Sequence, residues 1–206
     1  MNENKDSSYL KSLKDLVTKL IAKPVDFFRT MPKTGGVIDP LLYVVVTTML
    51  GVVLSAVESS VSHGAGLHDL GQTCIWLIIA PLIAIILSFF LAAIFFAIWS
   101  FMGSGENYET SYRCLAYMQI LLPITILLSF VPYLGLLGIA WWFYLMVIAT
   151  REVHKIPIKP ALLVFGIIAA LSGLVYYSSV SSEMRSKEHL KEFTKELQKM
   201  PGTGGR

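Results

Sequence analysis

His63, His68, Asp69 and Cys74 stand near one another in the chain. Imidazole, carboxylate and thiolate are the groups that ligate zinc. Their spacing matches no established zinc pattern and the segment is short and Gly-rich, so no metal centre is expected. Ser104 lies between Gly103 and Gly105, small flanks that suit an exposed nucleophile, and His154 is the one histidine expected on the same face of the membrane. No Ser/His/Asp arrangement accompanies them, and a flexible turn is the better account of the Gly-Ser-Gly triplet. There is no P-loop and no paired-carboxylate site. The residues therefore read as belonging to a protein that is not an enzyme and that uses no cofactor and no metal.

The elements that would have to position any such chemistry are membrane spans. Residues 40–57, 70–105, 114–150 and 160–182 contain no Asp, Glu, Lys or Arg. An apolar run of about 18 residues or more is long enough to cross the roughly 30 Å hydrocarbon core as a helix. The composition agrees: 54% of the 206 residues are hydrophobic, the mean hydropathy is +0.63, and only 15% are charged, where a soluble domain carries about 25%. The net charge of +3 is too small to suggest a nucleic-acid partner. No signal peptide is visible, because the first 39 residues are charged throughout.

Five spans are expected, over 40–57, 75–102, 112–130, 134–150 and 160–180, which gives an all-α membrane protein. Pro81 lies inside the second, which is longer than the bilayer core, so a kink, a tilt or a protruding end is expected. The run 114–150 divides at Val131-Pro132-Tyr133-Leu134-Gly135, a turn sequence, and Pro123 is placed to bend the third span. The chain divides into a tail (1–39), a five-span domain (40–180) and a charged tail (181–206). Lys5, Lys11, Lys14, Lys19, Lys23, Arg29 and Lys33 ahead of the first span, and Arg151, Lys155 and Lys159 in a later loop, put the N-terminus and that loop in the cytosol. The C-terminus then lies on the opposite side, and its basic residues run against the rule. Cys74 and Cys114 fall at opposite faces, so no disulfide joins them.

Both tails show helical periodicity. Tyr9, Leu13, Leu16, Val17, Leu20 and Ile21 form an apolar face that suits either the membrane surface or packing against the protein's own loops. Lys23-Pro24 ends that helix, and Phe27, Phe28 and Met31 follow as apolar anchors. Leu190, Phe193, Leu197 and Met200 make a narrow stripe on a C-terminal amphipathic helix. Inside the spans the ionisable residues are marginal: Glu58 and Arg113 sit at span ends, and Glu109–Arg113 reads as a local i,i+4 ion pair. Thr47, Thr48, Ser88, Thr125, Ser129 and Ser172 are small hydroxyls, and Gln119 is the costly mid-span group, expected to bond a neighbouring helix.

Three segments together resemble a known family. They are Ile21–Gly36, with its Lys23-Pro24-Val25-Asp26-Phe27-Phe28-Arg29 core; Gly103–Tyr117 leading to Leu122-Pro123; and Thr150-Arg151-Glu152-Val153-His154-Lys155-Ile156-Pro157-Ile158-Lys159-Pro160-Ala161-Leu162. Their order and spacing are similar to the Yip family, the Ypt/Rab-interacting membrane proteins, in a compact prokaryotic-like form. The resemblance implies a five-span membrane scaffold linked to membrane organisation or trafficking, in the cell (inner) membrane for a prokaryotic member. Eukaryotic relatives carry a longer N-terminal domain with an Asp-Leu-Tyr-Gly-Pro element, which this chain lacks, so Rab binding does not transfer. The expected function is a non-catalytic scaffold or adaptor; the alternative is a small oligomeric transporter or lipid-handling protein. The expected contact surface is Lys23, Phe27, Phe28, Arg29, Arg113, Arg151, Lys155 and Lys159. Its expected partners are membrane lipids, a protein at the cytosolic face and further copies of the chain.

Overall fold

A computed structural model describes residues 15–63 and 67–199, and every regular element among them is helical. A helix over 15–22, α1, stops at Lys23, and α2 (Pro24–Thr30) starts on the proline, whose missing N–H costs nothing at a first helical position. The long elements follow: α3 (Ile38–His63), α4 (Leu67–Phe101), α5 (Tyr108–Met118), α6 (Leu121–Ser129), α7 (Gly135–Glu152) and α8 (Ile158–Lys199). Among the described residues, four stretches are long and apolar enough to cross a membrane: Ile38–Ser60, Leu70–Phe101, Tyr108–Ser129 and Ile158–Leu197. The expected fourth span, α7, is not among them, because Trp141, Trp142, Tyr144, Arg151 and Glu152 dilute its 18 residues.

The third stretch is the axis of the bundle. Its apolar window is 61% buried within the protein, against 11% for α4 and for α8. Outward-facing Ile78, Ile86 and Phe90 on α4, and Leu163, Leu174 and Val175 on α8, are exposed large apolar groups of the kind that contact lipid. Asn107 caps the start of α5, its side-chain oxygen accepting the Thr110 N–H at 2.8 Å. The stretch then breaks at Gln119-Ile120. Pro123 explains the position: its ring displaces the carbonyl four residues back, that of Gln119, and it has no N–H to offer there. What was expected as one bent span is two helices in line.

Direction follows from cross-chain contacts. Trp99 bonds Thr150 and Arg29 bonds Glu152, so the end of α4, the end of α7 and α2 share one end of the bundle. The turn at 130–134 lies toward the other end, where Tyr133 packs on Tyr177 with ring centroids 5.4 Å apart. That turn occurs where Val131-Pro132 was expected to make it, and Tyr133 takes a left-handed φ of 65° there. Two boundaries differ from expectation. Helix fills most of the segment 58–74, with α4 beginning at Leu67 and running for 35 residues through Pro81. At the C-terminus, span and tail form one unbroken helix of 42 residues, about 60 Å at ~1.5 Å per residue and twice the hydrocarbon core. Leu190, Phe193 and Leu197 stay exposed along it. Met200, like Tyr9 and Leu13, lies outside the described residues.

Close approach of α6 and α7 depends on Gly138. A β-carbon there would stand 2.6 Å from Thr125 Oγ1 and 2.8 Å from its Cγ2. Gly138→Leu is expected to destabilise the fold by about 1–3 kcal/mol, read from reversible unfolding in mixed micelles. An unchanged midpoint would contradict the packing of α6 on α7.

Candidate functional site

Most of the long-range side-chain hydrogen bonds and ion pairs among the described residues converge at the end of the bundle shared by α2, the α4–α5 loop and the α7–α8 loop. Arg113 on α5 is 4% exposed. Its guanidinium donates to the Pro32 carbonyl at 2.7 Å, to the Gly36 carbonyl, and to Tyr117 Oη at 3.2 Å. Burying a cation costs several kcal/mol unless every donor is met. Main-chain carbonyls of the segment leading into α3 meet Nε and Nη1, and the Tyr117 hydroxyl meets Nη2. Gly35 and Gly36 let the segment turn under the guanidinium, at φ of 121° and 84°, a region in which side chains are strained. The Gly36 N–H donates to Glu109 Oε1 at 2.7 Å, while that carboxylate is 3.9 Å from Arg113. The expected local Glu109–Arg113 pair is therefore the weaker part of a longer-range tie.

Further ties hold the same segment. Lys33 pairs with Glu106 and reaches the Val153 carbonyl at 3.5 Å. Thr110 Oγ1 donates to the Lys33 carbonyl at 3.2 Å. Arg29 donates through Nε and Nη2 to Glu152 Oε2 at 3.2 and 3.1 Å. Beneath these, Phe28 is fully enclosed and Phe27 lies edge-on to Tyr117 at 5.7 Å. Leu20 is buried too, with Leu16 and Val17 against the core, so α1 takes the second of its two expected roles and packs on the protein itself.

The loop after α4 is not the flexible turn expected. The Ser104 N–H donates to the Trp99 carbonyl at 2.9 Å, and Ser104 Oγ accepts from the Glu106 N–H at 3.2 Å. The same hydroxyl lies 2.8 Å from His154 Nδ1. The imidazole stacks on Trp99 at 3.9 Å, and Trp99 Nε1 donates to Thr150 Oγ1 at 2.8 Å. A serine–histidine pair invites a catalytic reading. However, His154 Nε2 is buried without a hydrogen-bond partner, and Glu106 is engaged by Lys33. Desolvation, aided by the Lys33 charge, pushes the His154 pKa down to about 3. An imidazole that weakly basic is a poor proton acceptor near neutrality, and its bond to Ser104 and its stacking on Trp99 clamp the α4–α5 loop to the segment after α7.

The expected contact residues divide by burial. Lys23, Arg29, Arg151, Lys155 and Lys159 are exposed at this end. Phe28 and Arg113 are corrected out of the surface, because both are enclosed by the fold they hold together, and Phe27 is half-buried. Cys114 is buried, Cys74 is exposed, and both are free thiols. The side chains of His63, His68 and Asp69 lie outside the described residues. In the span interior, Gln119 sits at the helix break between two cavities. One of about 260 Å³ includes Thr125 and Ser172, and one of about 380 Å³ includes Thr48 and Ser88. Its carboxamide makes no hydrogen bond among the described residues, so the expected bond to a neighbouring helix is not found.

A family model for the Yip1 domain matches residues 18–180. The chain belongs to that family. The Yip1 match takes in α2, the Gly35-Gly36 turn and all of the clamp along with the apolar helices, and it stops before the charged end of α8. No curated protein and no solved structure gives a significant match.

The buried His154 generates a pH dependence. Unfolded, it titrates near 6.5; folded, it stays neutral down to about 3. Between those values the unfolded state binds the extra proton, so stability falls as pH drops below about 6.5. The slope approaches about 1.4 kcal/mol per pH unit toward pH 4, and no contribution remains above neutrality. Unfolding of wild type and His154→Asn compared from pH 4 to 7.5 is expected to show the wild type losing its advantage on acidification; parallel curves would contradict the buried neutral imidazole.

Proposed function

We propose that this Yip1-domain protein is a non-catalytic integral membrane scaffold or adaptor, with the clamped end of the bundle as its docking platform. The observation that carries the reading is the set of long-range ties through Arg113, Arg29–Glu152 and Lys33–Glu106. They join three separate segments into one surface and leave Lys23, Arg29, Arg151, Lys155 and Lys159 exposed on it. A surface held from three sides presents its cations with little ordering entropy left to lose on binding.

The platform faces the cytosol and the chain crosses the membrane five times, with α7 as the fourth crossing. The bundle geometry supports this count. α3, α5–α6 and α8 lead away from the platform end, while α4 and α7 return to it, Trp99 and Thr150 meeting there. The cations of the lead-in segment and of loop 153–157 then share one side, as the distribution of Lys and Arg in short loops requires. In a prokaryotic cell this is the inner membrane. The membrane surface and a protein docking on the platform are the partners, and further copies of the chain fit the exposed helix faces. A second reading, a small oligomeric transporter or lipid-handling protein, draws on one observation: Gln119 at a helix break between two cavities, the broken-helix arrangement on which membrane sites are built.

Lys155→Glu combined with Lys159→Glu is expected to reduce partner recovery after in-membrane crosslinking at least tenfold while leaving the unfolding midpoint unchanged. Recovery equal to wild type would remove the platform as the docking surface.

A further inference from the structure

One groove at the platform end has a chemistry of its own. It runs between α7 and α8, has a volume of about 430 Å³, and is walled by Phe143, Val147, Leu162 and Phe165. On α8 it is lined by Ile158, Leu162, Phe165, Gly166 and Ala169, a single helical face. That face extends for about 16 Å at ~1.5 Å per residue, half of the roughly 30 Å hydrocarbon core and so the depth of one leaflet. Val25 of α2 closes its upper wall, and Arg151 and Glu152 stand at its mouth.

The mouth is cationic. Glu152 is its only lining carboxylate, and it is engaged by Arg29 at 3.1 Å and by Arg151 Nε at 3.7 Å. The Arg151 side chain is nonetheless 62% exposed and that of Arg29 59%, and Lys155 and Lys159, in the segment that joins α7 to α8 and its first turn, are exposed as well. Two exposed guanidinium groups thus share one carboxylate at the mouth, with two further exposed lysines close by in the chain. A molecule matching both halves has a negative head of phosphate type and a hydrocarbon tail one leaflet long.

We propose that this groove is a specific site for one anionic membrane phospholipid. An acyl chain lies along the α8 face past Gly166, and the phosphate is held by Arg151 with Lys159 and Lys155 around it. Arginine presents a planar fork of donors that matches phosphate oxygens, and a polar head with a buried chain combines charge pairing with apolar burial. Bound there, the lipid bridges α7 to α8 and lies under α2, which couples headgroup composition to the docking platform. The assignment rests on reading the platform end as a headgroup-side surface, the same premise as the scaffold function.

Gly166 provides a test, with the melting midpoint as the check on the fold. A β-carbon at Gly166 would meet nothing within 4 Å, so a side chain can start there toward the groove, and Gly166→Phe also replaces a residue of low helix propensity. The experiment is native mass spectrometry of the full chain in detergent, titrated with dioleoylphosphatidylglycerol or dioleoylphosphatidylcholine, with circular dichroism melting of each variant alongside. We expect one adduct at least tenfold tighter for the anionic lipid. Arg151→Gln is expected to weaken it about tenfold, and Gly166→Phe to remove it with the melting midpoint retained. Equal binding of the two lipids would overturn the headgroup assignment, and anionic binding unaffected by both variants would overturn the groove. Wild type that recovers a partner but shows no lipid preference would remove this site alone; wild type that shows the lipid preference but recovers no partner would remove the scaffold reading alone.

Discussion

Arg113 is a cation that the fold has taken out of water at the edge of a membrane span. Desolvating a guanidinium is tolerable only where each donor finds an acceptor, and removing any acceptor leaves charge buried and unmet. Here the acceptors are the carbonyls of Pro32 and Gly36, presented by a backbone that has to pass through two left-handed glycine positions to reach them. The segment ahead of α3 is therefore part of the bundle: without it α5 carries an unsatisfied charge, and without Arg113 its carbonyls lose their donors. Lys33–Glu106 and Arg29–Glu152 extend the same logic to the two neighbouring loops.

Beneath this polar layer the packing is aromatic. Trp99, enclosed by the bundle, touches His154, Phe95 and Phe165 and donates its N–H to Thr150. It connects the end of α4 to α7 and α8 where the loops meet, so the platform rests on a stacked aromatic floor. Away from the platform the bundle loosens. The axis breaks at Gln119, and cavities lie on both sides of the break.

Much of the fold could be read from the residue order. Uncharged apolar runs mark the helices, Lys23-Pro24 marks the α1–α2 break, and Val131-Pro132 marks the turn, because each is a local effect of side-chain volume, charge or proline geometry. The candidate site was legible only in part. Arg113 was read as pairing with Glu109 four residues away, since main-chain acceptors 77 and 81 residues distant leave no sequence signal. Ser104 was read as a free turn because the hydroxyl's partners, His154 and the Glu106 N–H, are set by tertiary contact. Phe27 and Phe28 looked like lipid anchors, as an aromatic pair beside a span does whether its pocket is bilayer or protein. The unbroken α8 was hidden for a different reason: a change from apolar to charged composition alters what surrounds a helix, not whether the backbone continues it.

The lead-in segment and the two platform loops form one unit fastened by Arg113. Hydrogen exchange of the chain reconstituted in nanodiscs, comparing wild type with Arg113→Lys, tests it most directly. Lysine cannot reach the Pro32 carbonyl, the Gly36 carbonyl and Tyr117 together. Amides of residues 24–36, 103–107 and 153–156 are expected to be protected alike in the wild type. All three stretches should speed up at least tenfold together in the variant, while α4 is unchanged. Wild-type amides of 24–36 that exchange freely, or a variant in which that stretch alone responds, would contradict it.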